Sequence, residues 1–184
     1  MAMKEVSVVL AHGAWAEGSS WAGVIAALKK ESVEVSAAPL PLTSLADDVA
    51  ALNRSLDRTE GPIVLAGHAY AGAVIALASS RLRDDHSVVF GNQKPARNVI
   101  PVEGEPADVV AIVTAYDEWL AKSRVPKLFL KAEPGGILSN DADLEFVRKL
   151  PAQTEVTVAG VHYVQEDSPH EIGQAIAGWI GTLG

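Results

Sequence analysis

Short apolar runs alternate along the chain with stretches in which apolar residues recur at helical spacing. Residues 6–11 are apolar except for Ser7, a run suited to a strand buried on both faces. Ser19 or Ser20 is placed to cap a helix that continues to about Lys30, with Trp21, Val24, Ile25 and Leu28 on one face. Residues 33–37 form the next strand. Thr43 or Ser44 opens a helix over 45–56, with Asp47 and Asp48 near its positive end. A strand over 63–66 feeds a helix predicted for 70–81. Residues 87–90 allow another strand and 107–122 another helix. Strands over 127–131 and 154–159 flank a helix over 142–149, and Pro126 lies just before the first of them, where it costs no central ladder bond. Ser168-Pro169-His170-Glu171 combines an N-cap, a proline at the first helical position and a capping box, which starts a last helix to about Ile180. This alternation predicts an α/β fold: three layers, doubly wound, around a mostly parallel sheet of about six strands.

Composition narrows the picture. The 184 residues suit one domain, 1–184, with one substantial core, and 48% apolar with 21% charged residues is an ordinary globular balance. A formal charge of −8 argues against nucleic acid as a partner, because phosphate binding needs a basic face. No Lys/Arg run suggests a membrane surface. With no cysteine, disulfides, thiolate nucleophiles and Cys-based metal sites are excluded, which fits a reducing compartment. The first residues lead directly into a strand rather than a signal peptide, so a cytoplasmic location is expected. No H-E-x-x-H, P-loop or G-x-G-x-x-G motif is present, and no metal or other cofactor is implied.

The chemistry concentrates in two turns. Residues 62–76, PIVLAGHAYAGAVIA, run from an apolar strand through a glycine-hinged turn into a small-residue helix. In the G-x-S-x-G arrangement the central residue sits on a sharp strand-to-helix turn, and its neighbours must be small because the two backbones approach closely. Gly67, Ala71 and Gly72 meet that demand, and Ala69 stands where the nucleophile is expected. His12-Gly13-Ala14-Trp15 directly follows the first strand. Together these turns resemble the nucleophile elbow and the HG motif of the α/β-hydrolase superfamily. Residues 5–80, with HGAW, GSSW and PLTSLADDV, resemble small esterase-like hydrolases. From Pro101 onward, GEPADVVAIVTAYDEWL, VPKLFLKAEPGG and TVAGVHYVQEDSPHEIGQAIAGWI resemble haloalkane dehalogenases and their coelenterazine-luciferase relatives. The two resemblances meet near residues 81–100, where only about two dozen residues replace most of a helical cap domain. The pattern is that of a chain with its cap largely absent, whether by fusion, deletion or design.

The resemblance implies roles for particular residues. The G-x-H-[FY]-x-Q-E-D pattern makes His162 the ancestral base. The orienting acid of the family falls near Gly135, with Glu133 two residues early as a weak candidate that reads as an ordinary loop residue. In the dehalogenase branch the acid comes from the strand after the elbow helix, which places Gly91 or Asn92 in its neighbourhood. The halide-holding Asn and Trp of dehalogenases correspond to Ala14 and Tyr70, whose backbone N–H groups still suit an ester-type oxyanion hole. Trp15 and Trp21 are candidates to line a pocket, with buried aromatic packing as the expected reason for both. His12 belongs to the HG turn and His68 to the elbow, both in structural roles, while His86 and His170 are expected at the surface.

A methyl group at position 69 cannot attack a carbonyl or a carbon–halogen bond. The expectation is therefore an α/β-hydrolase-fold protein that is inactive or weakly hydrolytic on small esters. One alternative is a lyase- or isomerase-type enzyme that uses His162 as base without a covalent intermediate. Another is a non-catalytic binding or engineered scaffold protein. A small apolar molecule and a second copy of the chain are the expected partners, the latter because edge strands and an uncapped cleft need cover.

Overall fold

The structure, a computed structural model, describes residues 6–78, 85–91, 114–115, 118–135 and 141–183. Its strands are β1 (Ser7–Ala11), β2 (Glu34–Ala37), β3 (Ile63–His68), β4 (Ser87–Gly91), β5 (Lys127–Pro134) and β6 (Gln153–Gly160). Among the described residues these six form one sheet, in the order β2-β1-β3-β4-β5-β6, and every neighbouring pair is parallel. The helices are α1 (Ala22–Lys30), α2 (Leu45–Leu56), α3 (Ala71–Ala78), α4 (Asp141–Arg148), α5 (Val164–Asp167) and α6 (Pro169–Ile180), and residues 118–122 are also helical. None of the helices among the described residues is long and apolar enough to cross a membrane.

Because successive strand side chains point to opposite faces, each central strand feeds two cores. Val9, Ala11, Ile63, Leu65, Val88, Phe90 and Phe129 pack with residues of α2 and α3 on one face. Val8, Leu10, Val64, Ala66, Val89, Leu128 and Leu130 pack with α1 and α6 on the other. Strands buried on both faces explain why the sequence runs here are continuously apolar instead of alternating. The strand order turns around between β1 and β3, and the space beyond their carboxyl ends is the usual ligand position in an open parallel sheet. Ala11 pairs with Gly67, so the turns that follow the two strands lie side by side.

Several local expectations hold in detail. Ser44 is the N-cap of α2, its hydroxyl accepting from Asp47 N–H at 3.1 Å. Strand β4 forms as the 87–90 pattern allowed. The helix after the elbow runs over Ala71–Ala78; Tyr70, expected to open it, lies in the turn, and residues 79–81 lie outside the described residues, as does Asn92. Other expectations are corrected. A 3-10 turn at Gly18–Trp21 precedes α1, and Ser19 and Ser20 bond to Glu17 instead of capping the helix. The capping box before α6 does not form, because Ser168 Oγ donates to the Ala159 carbonyl at 2.6 Å and so ties the helix to β6. His86 is buried (5% exposed) rather than at the surface, since it directly precedes the interior strand β4. Lys127 is wholly buried at the start of β5, and its Nζ donates to the carbonyls of Ser123, Val125 and Pro151. Burial pushes its ammonium down to about 8.

Helices α1 and α6 cross so closely that two positions admit only glycine. A Cβ at Gly173 would lie 2.4 Å from Ala27 Cβ, and one at Gly23 would lie 2.6 Å from Pro169 Cβ. Gly173→Ala is therefore expected to destabilise the fold by about 1–3 kcal/mol through overpacking. Gly178, on the same helix, has nothing within 4 Å of its would-be Cβ. There the same change is expected to stabilise by roughly 0.5–1 kcal/mol, the helical cost of glycine. Urea unfolding midpoints of the two variants should move in opposite directions with unchanged slopes.

Candidate active site

The turn after β3 has the geometry that its small residues suggest. Ala69 has φ +52°, a left-handed conformation that alanine adopts only where the surrounding chain imposes it. Gly67 provides the close approach that makes the turn possible: a Cβ there would lie 2.5 Å from Ile75 Cδ1 and 3.2 Å from Ala71 Cβ. The following helix starts at once, with Gly72 N–H bonded to the Ala69 carbonyl at 2.9 Å.

The turn after β1 presses against this elbow. A Cβ on Gly13 would lie 3.4 Å from His68 Nδ1 and 3.7 Å from Ala69 Cβ, so the two turns form one continuous surface. His12 is buried, and its Nδ1 donates to the Gly13 carbonyl at 3.0 Å, which closes the turn. Ala16 N–H bonds back to the same carbonyl at 3.2 Å. These turn bonds use neither the Ala14 nor the Tyr70 backbone N–H. Trp15 corrects an expectation: it is 90% exposed, because it sits at the outer corner of the turn that the Ala16–Gly13 bond closes. Trp21 is buried, 4% exposed, as expected of core packing.

His162 reaches the elbow from the far edge of the sheet. β6 ends at Gly160, and Asp167 Oδ2 accepts the next N–H, from Val161, at 2.8 Å. A Cβ at Gly160, whose φ is +145°, would lie 2.9 Å from that same Asp167 oxygen. The short helix α5, which the sequence pattern did not reveal, follows directly. The loop is therefore held at both ends, and His162 is half-buried in it. His68 Nε2 donates to the His162 carbonyl at 2.7 Å, and the two rings meet edge to face with centroids 5.0 Å apart. Tyr163 packs against both rings, at 4.9 Å and 5.8 Å.

That single bond fixes the state of His68. With Nε2 donating, Nδ1 has no proton in the neutral ring. His68 is 2% exposed, and burial pushes its imidazole down to about 4; the charge on His162 lowers it further, while the bond to the carbonyl acts in the opposite sense. The residue is thus a neutral clamp between the elbow and the loop that carries His162.

Two more connections complete the picture. Tyr70 hydroxyl donates to Asp48 Oδ2 at 2.6 Å, and Asp48 Oδ1 accepts Leu42 N–H at 2.7 Å. Asp48 is wholly buried in α2, so its carboxylate ties the residue after Ala69 to the PLTS loop. Burial, reinforced by Asp48, pushes the Tyr70 phenol upward. Glu133 is exposed in the last turn of β5, paired with Ala159, and belongs to a strand end instead of a loop. Gly135 bonds through its N–H to the Gly160 carbonyl at 3.0 Å. Among the described residues, no carboxylate is hydrogen-bonded to the His162 ring. His170 is exposed on α6, away from these turns. Sequence reading missed the Asp48–Tyr70 bond, the clamp by His68 and the packing of Tyr163. The DD pair in PLTSLADDV was the one available signal, and only its capping role was legible.

The low affinity of His68 for a proton makes stability depend on pH. Above its unfolded value of 6.5 both states are neutral; between 6.5 and about 4 the unfolded chain takes up a proton that the folded chain refuses. Stability should therefore fall with pH across that window, by about 2–3 kcal/mol more than in His68→Gln, as read from paired urea titrations. Tyr70→Phe leaves one oxygen of buried Asp48 without its donor and should cost about 1–3 kcal/mol in the same assay at pH 7.

The comparisons with known proteins agree with this fold. Residues 8–179 match the family described as the alpha/beta hydrolase family. The chain is similar to a haloalkane dehalogenase of Mycolicibacterium smegmatis, 34% identical over 197 residues, covering 97% of this chain and 62% of the relative. It is also similar to one of Sphingobium indicum, 55% identical over 84 residues, covering 46% of this chain and 28% of the relative. The chain thus spans less than two thirds of the length of these relatives. Among solved structures, the haloalkane dehalogenase from Bradyrhizobium elkani superposes with a TM-score of 0.77 at 21% identity, covering 96% of this chain and 90% of that one. The haloalkane dehalogenase from Agrobacterium tumefaciens gives a TM-score of 0.75 at 18% identity, covering 97% and 90%. Those two show the fold, and the match across nearly all of the sequence shows the lineage: this chain belongs to the alpha/beta hydrolase family.

Proposed function

We propose that this protein is an α/β-hydrolase-fold chain in which the covalent route of its dehalogenase and esterase relatives is closed, leaving at most weak hydrolysis of small activated esters. The observation that carries this reading is Ala69 at the left-handed apex of the elbow, where a nucleophile would project. A candidate base and two candidate oxyanion donors surround it, without an orienting carboxylate among the described residues. His162 sits beside the elbow on a loop clamped by His68. The Ala14 and Tyr70 backbone N–H groups are free of the turn bonds around them and serve as the oxyanion donors.

With these parts the accessible reaction is general-base hydrolysis. His162 takes a proton from water, the resulting hydroxide adds to the ester carbonyl, and the developing oxyanion is held by the two N–H groups. The tetrahedral intermediate then expels the alcohol, which recovers the proton from the imidazolium. Binding and oxyanion stabilisation without the nucleophile give roughly 10³–10⁴ over water in proteases of known design, which sets the ceiling for such a site. Carbon–halogen cleavage fares worse. It requires a carboxylate nucleophile and a halide cradle, and the residues corresponding to that cradle are Ala14 and Tyr70, the latter with its hydroxyl committed to Asp48.

Ala69→Ser and Ala69→Asp, assayed on p-nitrophenyl acetate, short alkyl esters and 1-bromobutane, test this assignment. Serine is expected to raise ester cleavage roughly 10- to 100-fold above the parent, well short of a complete triad, and aspartate is expected to give little bromide release. If the parent itself shows rapid turnover with a burst phase, the closed-route assignment is wrong. If neither variant exceeds the parent while both fold normally, the residual-site assignment is wrong.

A further inference from the structure

Asp48 takes no part in the proposed reaction, yet it is bonded to the elbow. It lies in the first turn of α2, wholly buried, and its two oxygens accept from two different segments. Oδ1 takes the Leu42 N–H at 2.7 Å, and Oδ2 takes the Tyr70 hydroxyl at 2.6 Å, both within the range of charge-assisted bonds. The donors belong to strained turns. Among the described residues the left-handed non-glycines are Ser32, Leu42, Ala69 and Ala152. Asp48 bonds to one of them, Leu42 at φ +57°, and to the residue that follows another, Ala69 at φ +52°.

An apolar side chain would fill this space without the cost of burying a carboxylate, so what the carboxylate adds is direction. Tyr70 is half-buried, packed against the α2–α3 side of the core. With its hydroxyl tethered as well, the ring is held at both ends, and the peptide that joins residues 69 and 70 is held with it. That peptide carries the Tyr70 N–H, one of the two oxyanion donors. Such donors work only when they are aimed before the charge develops, and a misplacement of about 1 Å costs on the order of 10²-fold in rate. We propose that Asp48 is a positioning residue for the oxyanion hole. Through the Tyr70 hydroxyl it sets the direction of the Tyr70 N–H, and through Leu42 it anchors the loop after β2 to the same point. The kinetic consequence rests on the ester cleavage proposed above; the backbone consequence does not.

The experiment compares Tyr70→Phe, Asp48→Asn and Ser44→Ala, each made in the unaltered chain and together with Ala69→Ser. Tyr70→Phe removes the tethering hydroxyl alone. Asp48→Asn keeps an acceptor for the Leu42 N–H and turns an N–H toward the phenol oxygen, so it is the conservative change. Ser44→Ala removes the cap of the same helix without touching the tether, and stands for a purely structural effect. In the unaltered chain, the three-bond HN–Hα couplings of residues 69 and 70 are expected to shift in Tyr70→Phe, less in Asp48→Asn, and not in Ser44→Ala. Together with Ala69→Ser, Tyr70→Phe is expected to lower kcat on p-nitrophenyl acetate roughly five- to tenfold with KM within about twofold. Asp48→Asn should lower kcat about two- to threefold and Ser44→Ala leave it unchanged. Unchanged couplings in both tether variants would overturn the proposal whatever the kinetics. Shifted couplings with kcat within about twofold of Ala69→Ser alone would leave Asp48 structural and overturn it too. Ser44→Ala matching Tyr70→Phe in either readout would reduce the tether to general stability, with the same consequence. If Ala69→Ser shows no activity above the parent, ester cleavage fails as a reading and the couplings alone decide.

Discussion

The left-handed backbone at Ala69 is the constraint around which the candidate site is arranged. An L-residue there costs on the order of 1 kcal/mol relative to an ordinary helical or extended conformation. Alanine has no local reason to accept that cost, and glycine would accept it freely. The conformation is imposed from both sides. β3 enters fully buried, the helix that leaves it packs Ile75 and Ala71 against Gly67, and Gly13 closes the remaining face. The bend is thus a product of packing between sheet and helix, and the identity of the side chain at its apex is a separate matter. That separation explains how a chain can keep the shape of an elbow with a methyl group at its tip.

Placement of His162 depends on a different interaction. β6 lies three strands away from β3 in the sheet, so nothing in the strand ladder brings His162 to the elbow. The crossing is made by the loop after Gly160, held by Asp167 at its start and by Ser168 Oγ on Ala159 at its end. Its apex is then fixed by the bond from His68. Clamping through a backbone carbonyl sets where the loop lies, while the described contacts of the His162 imidazole are the rings of His68 and Tyr163. A carboxylate on Nδ1 would fix tautomer and ring orientation as well.

How much of this was readable in sequence follows from the range of the interactions involved. Strand positions were legible because a doubly covered parallel sheet forces continuous apolar runs, as in β1 and β3. Ser44 was legible as a cap because its bond to Asp47 spans three residues. The elbow was legible because Gly67, Ala71 and Gly72 are the steric signature of a close strand-to-helix turn. What failed was non-local. Ser168 was drawn away from its capping role by β6, nine residues earlier, and His86 was buried by the strand it precedes. Trp15 offered an apolar side chain with no periodic context, so nothing marked it as exposed. Tyr70 and Asp48, twenty-two residues apart, are joined by a hydrogen bond that no spacing rule predicts. The carbonyl that holds His68 belongs to His162, ninety-four residues further on.

The same geometry limits what a restored nucleophile can accomplish. When a serine hydroxyl gives up its proton, the accepting imidazole becomes a cation, and in a complete triad a buried carboxylate stabilises that charge. Here the described neighbours of the ring are His68, neutral and buried, and Tyr163, whose ring meets that of His162 at a steep angle. Neither carries a negative charge. The carboxylates that the chain does place nearby are already engaged: Asp167 holds Val161 N–H, and Asp48 holds Tyr70 and Leu42. Reassigning either would loosen the loop or the elbow that it supports. A serine at residue 69 would therefore supply a nucleophile without the charge stabilisation that makes attack fast.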